Sequence, residues 1–243
     1  MLEKPLGIKS YGHIPHLPGS RLGPGDHKVN PGQAKICTQK AEKHHLIIVQ
    51  EKLDGSNCAV AKINGEICPL TRNGYRAETT PYKQHHLFSK WAWNNRQRFL
   101  DLLEEGERAV GEWLIQAHGV KYKLPHDPFV IFDIMKGMER TPYEQFIQRI
   151  IAKPFIIPRL IHQGGPINIE KVEARLEPSG HGALEPVEGA VWRVETHNKR
   201  IHRVDFLAKW VHPDMESGKY LDPTGPDIWN CNKDGITWDK LIS

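Results

Sequence analysis

Apolar residues come in short blocks, and the spacing inside the blocks changes along the chain. From residue 45 they are strand-like. His45–Glu51 carries the run Leu46-Ile47-Ile48-Val49, and Asn57–Ile63 follows a turn at Asp54-Gly55-Ser56. Asn64-Gly65 is a strong hairpin signal, so Glu66–Thr71 is expected as a third strand. Between about 83 and 104 the period becomes helical: Leu87, Trp91, Phe99, Leu102 and Leu103 predict a helix broken by Gly106. Ala109–Ile115 and Pro128–Met135 predict buried strands. Thr141-Pro142-Tyr143-Glu144 predicts a helix start, with Thr141 as N-cap and proline at the first position. Ile156–Ile161 reads as a strand and Ile169–Leu176 as a short helix. Gly189–Glu195 and His202–Val211 alternate as a strand pair. The sum is an α+β chain, mostly antiparallel strands with a few helices packed outside.

The two ends break the pattern. Residues 1–40 are rich in Pro, Gly, His and Lys, are expected to hold no helix, and would wrap the body or form a basic entry loop. Residues 41–213 would form the main domain. The tail, 214–243, would be docked by Trp229 and Trp238.

Composition narrows the class. The chain has 243 residues, 39% hydrophobic and 26% charged, as expected of a globular rather than a disordered protein. No apolar stretch approaches the ~18 residues of a membrane span. Met1-Leu2-Glu3-Lys4-Pro5 lacks the apolar core of a secretory signal. The net charge of +4 is a mild excess, compatible with a polyanionic partner. Four cysteines without a C-x-x-C pair indicate neither a zinc ribbon nor a redox motif. Cys58 reads as a small core residue, and a reducing, cytoplasmic compartment is expected. The 14 histidines include His197 and His202, five apart, without zinc-ligand spacing to cysteine.

Candidate chemistry concentrates at Lys52-Leu53-Asp54-Gly55-Ser56-Asn57. A lysine at a strand end beside a glycine turn can be held rigidly and aimed into a cleft, as a covalent nucleophile requires. Lys-x-Asp-Gly alone arises by chance in roughly 5% of chains this long. A surface turn, with Lys52 solvated and Asp54 bracing the loop, would look the same.

Further runs follow in order: Thr71-Arg72-Asn73-Gly74, Gly111-Glu112-Trp113-Leu114, Phe129-Val130-Ile131-Phe132-Asp133-Ile134, Val187-Glu188-Gly189-Ala190-Val191 and Phe206-Leu207-Ala208-Lys209-Trp210. Together with the lysine run they resemble the ordered motifs of covalent lysine nucleotidyltransferases, the superfamily of ATP-dependent RNA and DNA ligases and GTP-dependent capping enzymes. Asn57, where DNA ligases and capping enzymes usually carry arginine, resembles the branch of the phage RNA ligase that seals nicks in double strands.

The resemblance implies an adenylyltransferase fold (ATP-grasp-like, antiparallel sheets with peripheral helices) and an ATP-dependent RNA ligase that joins 5′-phosphate and 3′-hydroxyl ends. It implies Lys52 as the nucleophile for ATP, with a pKa lowered from about 10.4 by nearby cations and desolvation. Asp54 would orient the amine or a metal-bound water. Glu188 would bind Mg²⁺ or Mn²⁺, and Lys209 would hold the α-phosphate. Gln50, Glu51, Asn57, Arg72, Glu112 and Phe132 would bind the nucleotide, Arg72 by forked donors, Glu112 through ribose and Phe132 by stacking on adenine. Residue by residue, the plainer alternatives are a hairpin arginine, a structural salt bridge and a core aromatic. The fifth motif usually has a lysine where Leu207 stands, and Lys199, Arg200 or Arg203 would have to compensate. RNA would be held by the basic lead-in or by an accessory protein. A GTP-using capping enzyme, a DNA ligase and a catalytically silent RNA-binding module are the alternatives.

Overall fold

Two antiparallel sheets face one another across a cleft. The computed structural model describes residues 4–242. After α1 (Pro31–Thr38) come β1 (His45–Lys52), β2 (Ser56–Ile63) and β3 (Glu66–Thr71), then α2 (Lys83–Asn94), α3 (Arg96–Leu100) and β4 (Glu107–Trp113). The chain continues through β5 (Lys123–Leu124), β6 (Phe129–Lys136), β7 (Glu139–Arg140), α4 (Tyr143–Ile150), β8 (Leu160–Gly164) and α5 (Ile169–Glu173). It closes with β9 (Gly189–His197), β10 (His202–Val211), β11 (Cys231–Asn232) and α6 (Trp238–Ile242). One sheet has the order β10-β9-β1-β8 and the other β3-β2-β4-β6-β7. This is the α+β, mainly antiparallel class that the alternation predicts. No helix among the described residues is long and apolar enough to cross a membrane.

Side-chain parity divides the core. On β1, Ile48 packs with α2 and with strands of the five-stranded sheet, whereas Ile47 and Val49 pack on the opposite face with Trp192, Val194 and Val172. On β10, Leu207 belongs to the cleft side with Tyr11 and Val110, and Ala208 and Trp210 belong to the outer side. Gln50 and Lys52 share the parity of Ile48, and Lys209 that of Leu207. The alternation that builds the core therefore aims these polar groups into the cleft.

Several elements differ from expectation. The opening segment does hold a helix, Pro31–Thr38, starting at a capping box between Asn30 and Gln33. Pro31 lies in the first turn, where its missing N–H costs nothing. Residues 1–3 of that segment, and with them Met1-Leu2-Glu3, lie outside the described residues. The helix expected over 83–104 is two helices, broken at Asn95, whose side-chain amide donates to Trp91 O at 2.8 Å. Thr141 does not cap α4. The N-cap is Pro142, and the free Tyr143 N–H donates to Glu195 of β9 at 2.8 Å, a tertiary cap invisible to local sequence. The strand expected at 156–161 forms later, at Leu160–Gly164, because Pro158 cannot donate to a ladder. Trp229 and Trp238 do pack against the main core.

The lead-in is a strap along the edge of β10. Lys209 N donates to Pro15 O (2.9 Å), Leu17 N to Lys209 O (2.8 Å) and Arg21 N to Val211 O (3.0 Å). Val211 N donates to Ser20 Oγ (2.9 Å).

Candidate active site

The cleft between the sheets contains a cavity of about 430 Å³. Lys52 enters it from the end of β1, where it pairs in register with Gly189, so the neighbouring Glu188 arrives beside it. Lys52 Nζ and Glu188 Oε2 are 2.5 Å apart. The Gly55 turn lets β2 leave at once: a Cβ there would lie 2.5 Å from Trp113 O. Gly189 is needed for a similar reason, since a Cβ would lie 2.0 Å from Trp210 O.

Three carboxylates surround one ammonium. Burial pushes Glu112 and Glu188 up to about 7. Burial also pulls on Lys52, but the charges of Glu188, Glu112 and Asp54 outweigh it and raise the amine. This reverses the expectation of a lowered lysine, because its closest charged neighbour is the anion Glu188. Lys209 is shifted down, first by burial and then by Lys52.

The other expected residues divide by what they touch. Gln50 lines the cavity and donates to Pro158 O at 3.2 Å. Asn57 also lines it, and its Oδ1 is buried with no hydrogen-bond partner among the described residues, an acceptor waiting for a donor. Arg72 reaches the cavity with one amino group tied to Gly12 O at 3.1 Å. Glu112 accepts from Gly55 N at 3.1 Å. Phe132 is the extra residue of a bulge in β6, since Val110 pairs with Asp133 and Gly111 with Ile131. The bulge brings both Phe132 and Asp133 to the cavity wall.

Glu51 and Asp54 also line the cavity, and their carboxylates are held by other parts of the chain. Glu51 has the outward parity, and its carboxylate is taken by Arg159 Nε (2.9 Å), Ser179 Oγ (2.6 Å) and Gly180 N (2.9 Å). Asp54 accepts from Gly119 N (2.5 Å) and Val120 N (3.0 Å), bracing the 117–121 loop rather than its own turn. Leu207 is buried among Tyr11, Val110 and Met135, directly across from Arg193. Lys199 and Arg200 sit by the β9–β10 turn and Arg203 pairs with Asp205. Arg203 is four residues along β10 from Leu207, about 13 Å at strand rise, so none of the three stands in for a lysine at 207.

Sequence reasoning missed the floor of the cavity. Asp133 Oδ1 meets Arg193 Nη1 at 2.7 Å, its Oδ2 accepts from Tyr11 OH at 2.8 Å, and Arg193 Nε meets Glu195 at 2.7 Å. These groups tie β6 of one sheet to β9 of the other through buried charges. The available signal was a charged residue inside each apolar run, Asp133 after Phe132 and Arg193 after Trp192. At the far end of β9, His197 and His202 stack with ring centres 4.2 Å apart, and Glu144 brings a third ligand atom within 4.8 Å.

Comparison with known proteins covers most of this core. A family model described as RNA ligase matches residues 45–211. An uncharacterized protein of Methanocaldococcus jannaschii is 24% identical over 107 residues, 43% of this chain and 24% of that protein. An archaeal ATP-dependent RNA ligase is similar over 83% of this chain and 48% of its own, at 15% identity and a TM-score of 0.44. A Naegleria gruberi RNA ligase solved with AMP and Mn is similar over 84% of this chain and 60% of its own, at 16% identity and a TM-score of 0.49. The chain thus spans less than two thirds of each of these relatives.

Proposed function

The chain belongs to the RNA ligase family, and from that premise we propose that it is an ATP-dependent RNA ligase working through a Lys52–AMP intermediate. The observation that carries this reading is Lys52 Nζ, placed among Glu188, Glu112 and Asp54 at the wall of a nucleotide-sized cavity. In the first step Nζ attacks the α-phosphorus of ATP. The N–P bond forms, the bond to the bridging oxygen breaks, and pyrophosphate leaves with the electron pair. AMP then passes to an RNA 5′-phosphate, and a 3′-hydroxyl displaces it to seal the strand.

This chain's residues serve those steps by position and charge. Phe132 offers a face for adenine, the orphaned Asn57 Oδ1 an acceptor, and Arg72 donors to phosphate or ribose oxygens. Glu112 Oε1 is held by Gly55 N, leaving its second oxygen for a ribose hydroxyl. Lys209 supplies positive charge to the α-phosphate. Lys52 must lose a proton before attack, and Glu188 Oε2 at 2.5 Å is the acceptor in reach. The hard oxygen donors of Glu188 and its neighbouring carboxylates suit Mg²⁺ or Mn²⁺. Such an ion would offset phosphate charge. An RNA with a 5′-phosphate and a 3′-hydroxyl is the proposed substrate, held by the strap or by an accessory protein. We further propose that 41–213 is the catalytic unit, with 1–40 as lead-in and 214–243 as docked tail.

The test is intact mass after incubation with ATP and Mg²⁺. One added AMP, absent from Lys52→Ala, is expected. An adduct with GTP but not ATP would shift the reading to a capping-type enzyme. No adduct across metals and pH would leave a silent RNA-binding module.

A further inference from the structure

A second cavity, about 340 Å³, adjoins the first. Lys52 and Lys209 line both, while His16, Arg21 and Asp26 of the strap and Glu188 belong to the second alone. Whatever occupies the second cavity is therefore next to any phosphorus held by the two ammoniums.

Its charged groups are accounted for except one. Lys52 is paired with Glu188 at 2.5 Å. Asp26 lies 3.7 Å from Lys209 and 3.1 Å from His16 Nε2, and accepts from Gly23 N at 2.9 Å. His16 is buried, with Nδ1 on Ser20 Oγ at 2.6 Å, and burial and then Lys209 hold its pKa down. Arg21 is fixed only through its backbone, by the bond from its N–H to Val211 O two residues along β10 from Lys209. Its guanidinium has no hydrogen bond or ion pair with any described residue. Even with Glu188 ionised and His16 uncharged, Arg21, Lys52 and Lys209 against Asp26 and Glu188 leave the cavity one positive charge in excess, and the free cation is the one whose fork matches two phosphate oxygens.

We propose that Arg21 anchors a second phosphate subsite, filled by a phosphate group leaving or approaching the phosphorus held at Lys52 and Lys209. That chemistry has two sources, the pyrophosphoryl end of ATP and the 5′-phosphate of RNA. The assignment rests on the ligase reading for its role, though not for its binding chemistry.

The test uses the full chain, with Arg21→Gln and Arg21→Lys checked for unchanged melting. One arm measures binding of inorganic pyrophosphate by calorimetry, which needs no catalysis. The other mixes purified Lys52–AMP protein with RNA carrying a 5′-phosphate or a 5′-hydroxyl and follows AMP transfer. At least about a tenfold loss in Arg21→Gln, only partly recovered in Arg21→Lys because an ammonium keeps the charge without the fork, is expected in one or both arms. Loss in the first arm alone assigns the subsite to pyrophosphate. Loss in the second alone, confined to 5′-phosphorylated RNA, assigns it to the RNA end. Arg21→Gln matching the wild type in both arms overturns the subsite. A wild type that binds pyrophosphate through Arg21 yet never forms an AMP adduct overturns the ligase reading and leaves the subsite standing.

Discussion

Lys52 Nζ and Glu188 Oε2 are 2.5 Å apart, and neither end of the pair is free to do its proposed work while the other holds it. The ammonium is kept protonated by the same carboxylate that would receive a metal ion. Glu188→Gln removes that hold. Lys52 in the variant is expected to titrate at a lower pH than in the wild type, read from the pH dependence of its acylation by peptide mass spectrometry. AMP attachment is expected to fall by about 10²–10³, because the carboxylate proposed to hold the metal ion and to accept the Lys52 proton is lost. An unmoved titration would show that the pair does not set the state of the amine.

Glu112 predicts a pH dependence of stability. Its carboxyl is pushed up to about 7 in the folded protein from an ordinary 4.5. Between those values the folded chain keeps a proton that the unfolded chain has released, so stability is fully present below 4.5 and is lost as pH rises through 7. Glu112→Gln removes this loss. Thermal melting across pH 5 to 8 is expected to fall less steeply in the variant, which gains about 1–3 kcal/mol over the wild type at pH 8. Parallel melting curves would contradict the assignment.

Leu207 predicts that restoring a lysine does harm. The side chain is buried against Tyr11 and Val110 and faces Arg193 across the strand pair. Leu207→Lys removes apolar contacts and sets a charge beside a guanidinium already committed to Asp133, a loss of about 2–4 kcal/mol. Melting and the rate of AMP attachment are both expected to drop. A faster enzyme with unchanged melting would mean that the cleft has room for the second cation.

Alternation and turn chemistry made the strands legible, because both are local properties of the chain. His45–Lys52 and Ser56–Ile63 fall almost where the pattern puts them, and Asn64, at φ 54, makes the expected hairpin. Parity also explains why the Lys52 amine points into the cleft while the Glu51 carboxylate is held by Arg159 on the other side. What could not be read was tertiary. The cap on Tyr143 comes from Glu195, 52 positions away, and the clamp on Asp54 from a loop 65 positions away. The raised amine of Lys52 depends on the three-dimensional gathering of Glu112, Glu188 and Asp54, which motif order suggests but does not measure. The helix at Pro31 was missed for a different reason: proline was read as a breaker where its position in the first turn makes it a starter.

The strap along β10 also shields the sheet's rim. β10 is terminal in its sheet, and the backbone of 15–21 meets N–H and C=O groups that would otherwise be open to another strand. A fragment trimmed to the family-matched residues 45–211 would carry that rim uncovered. Such an edge recruits strands from neighbouring molecules, so the shortened protein would be prone to self-association before its chemistry could be judged.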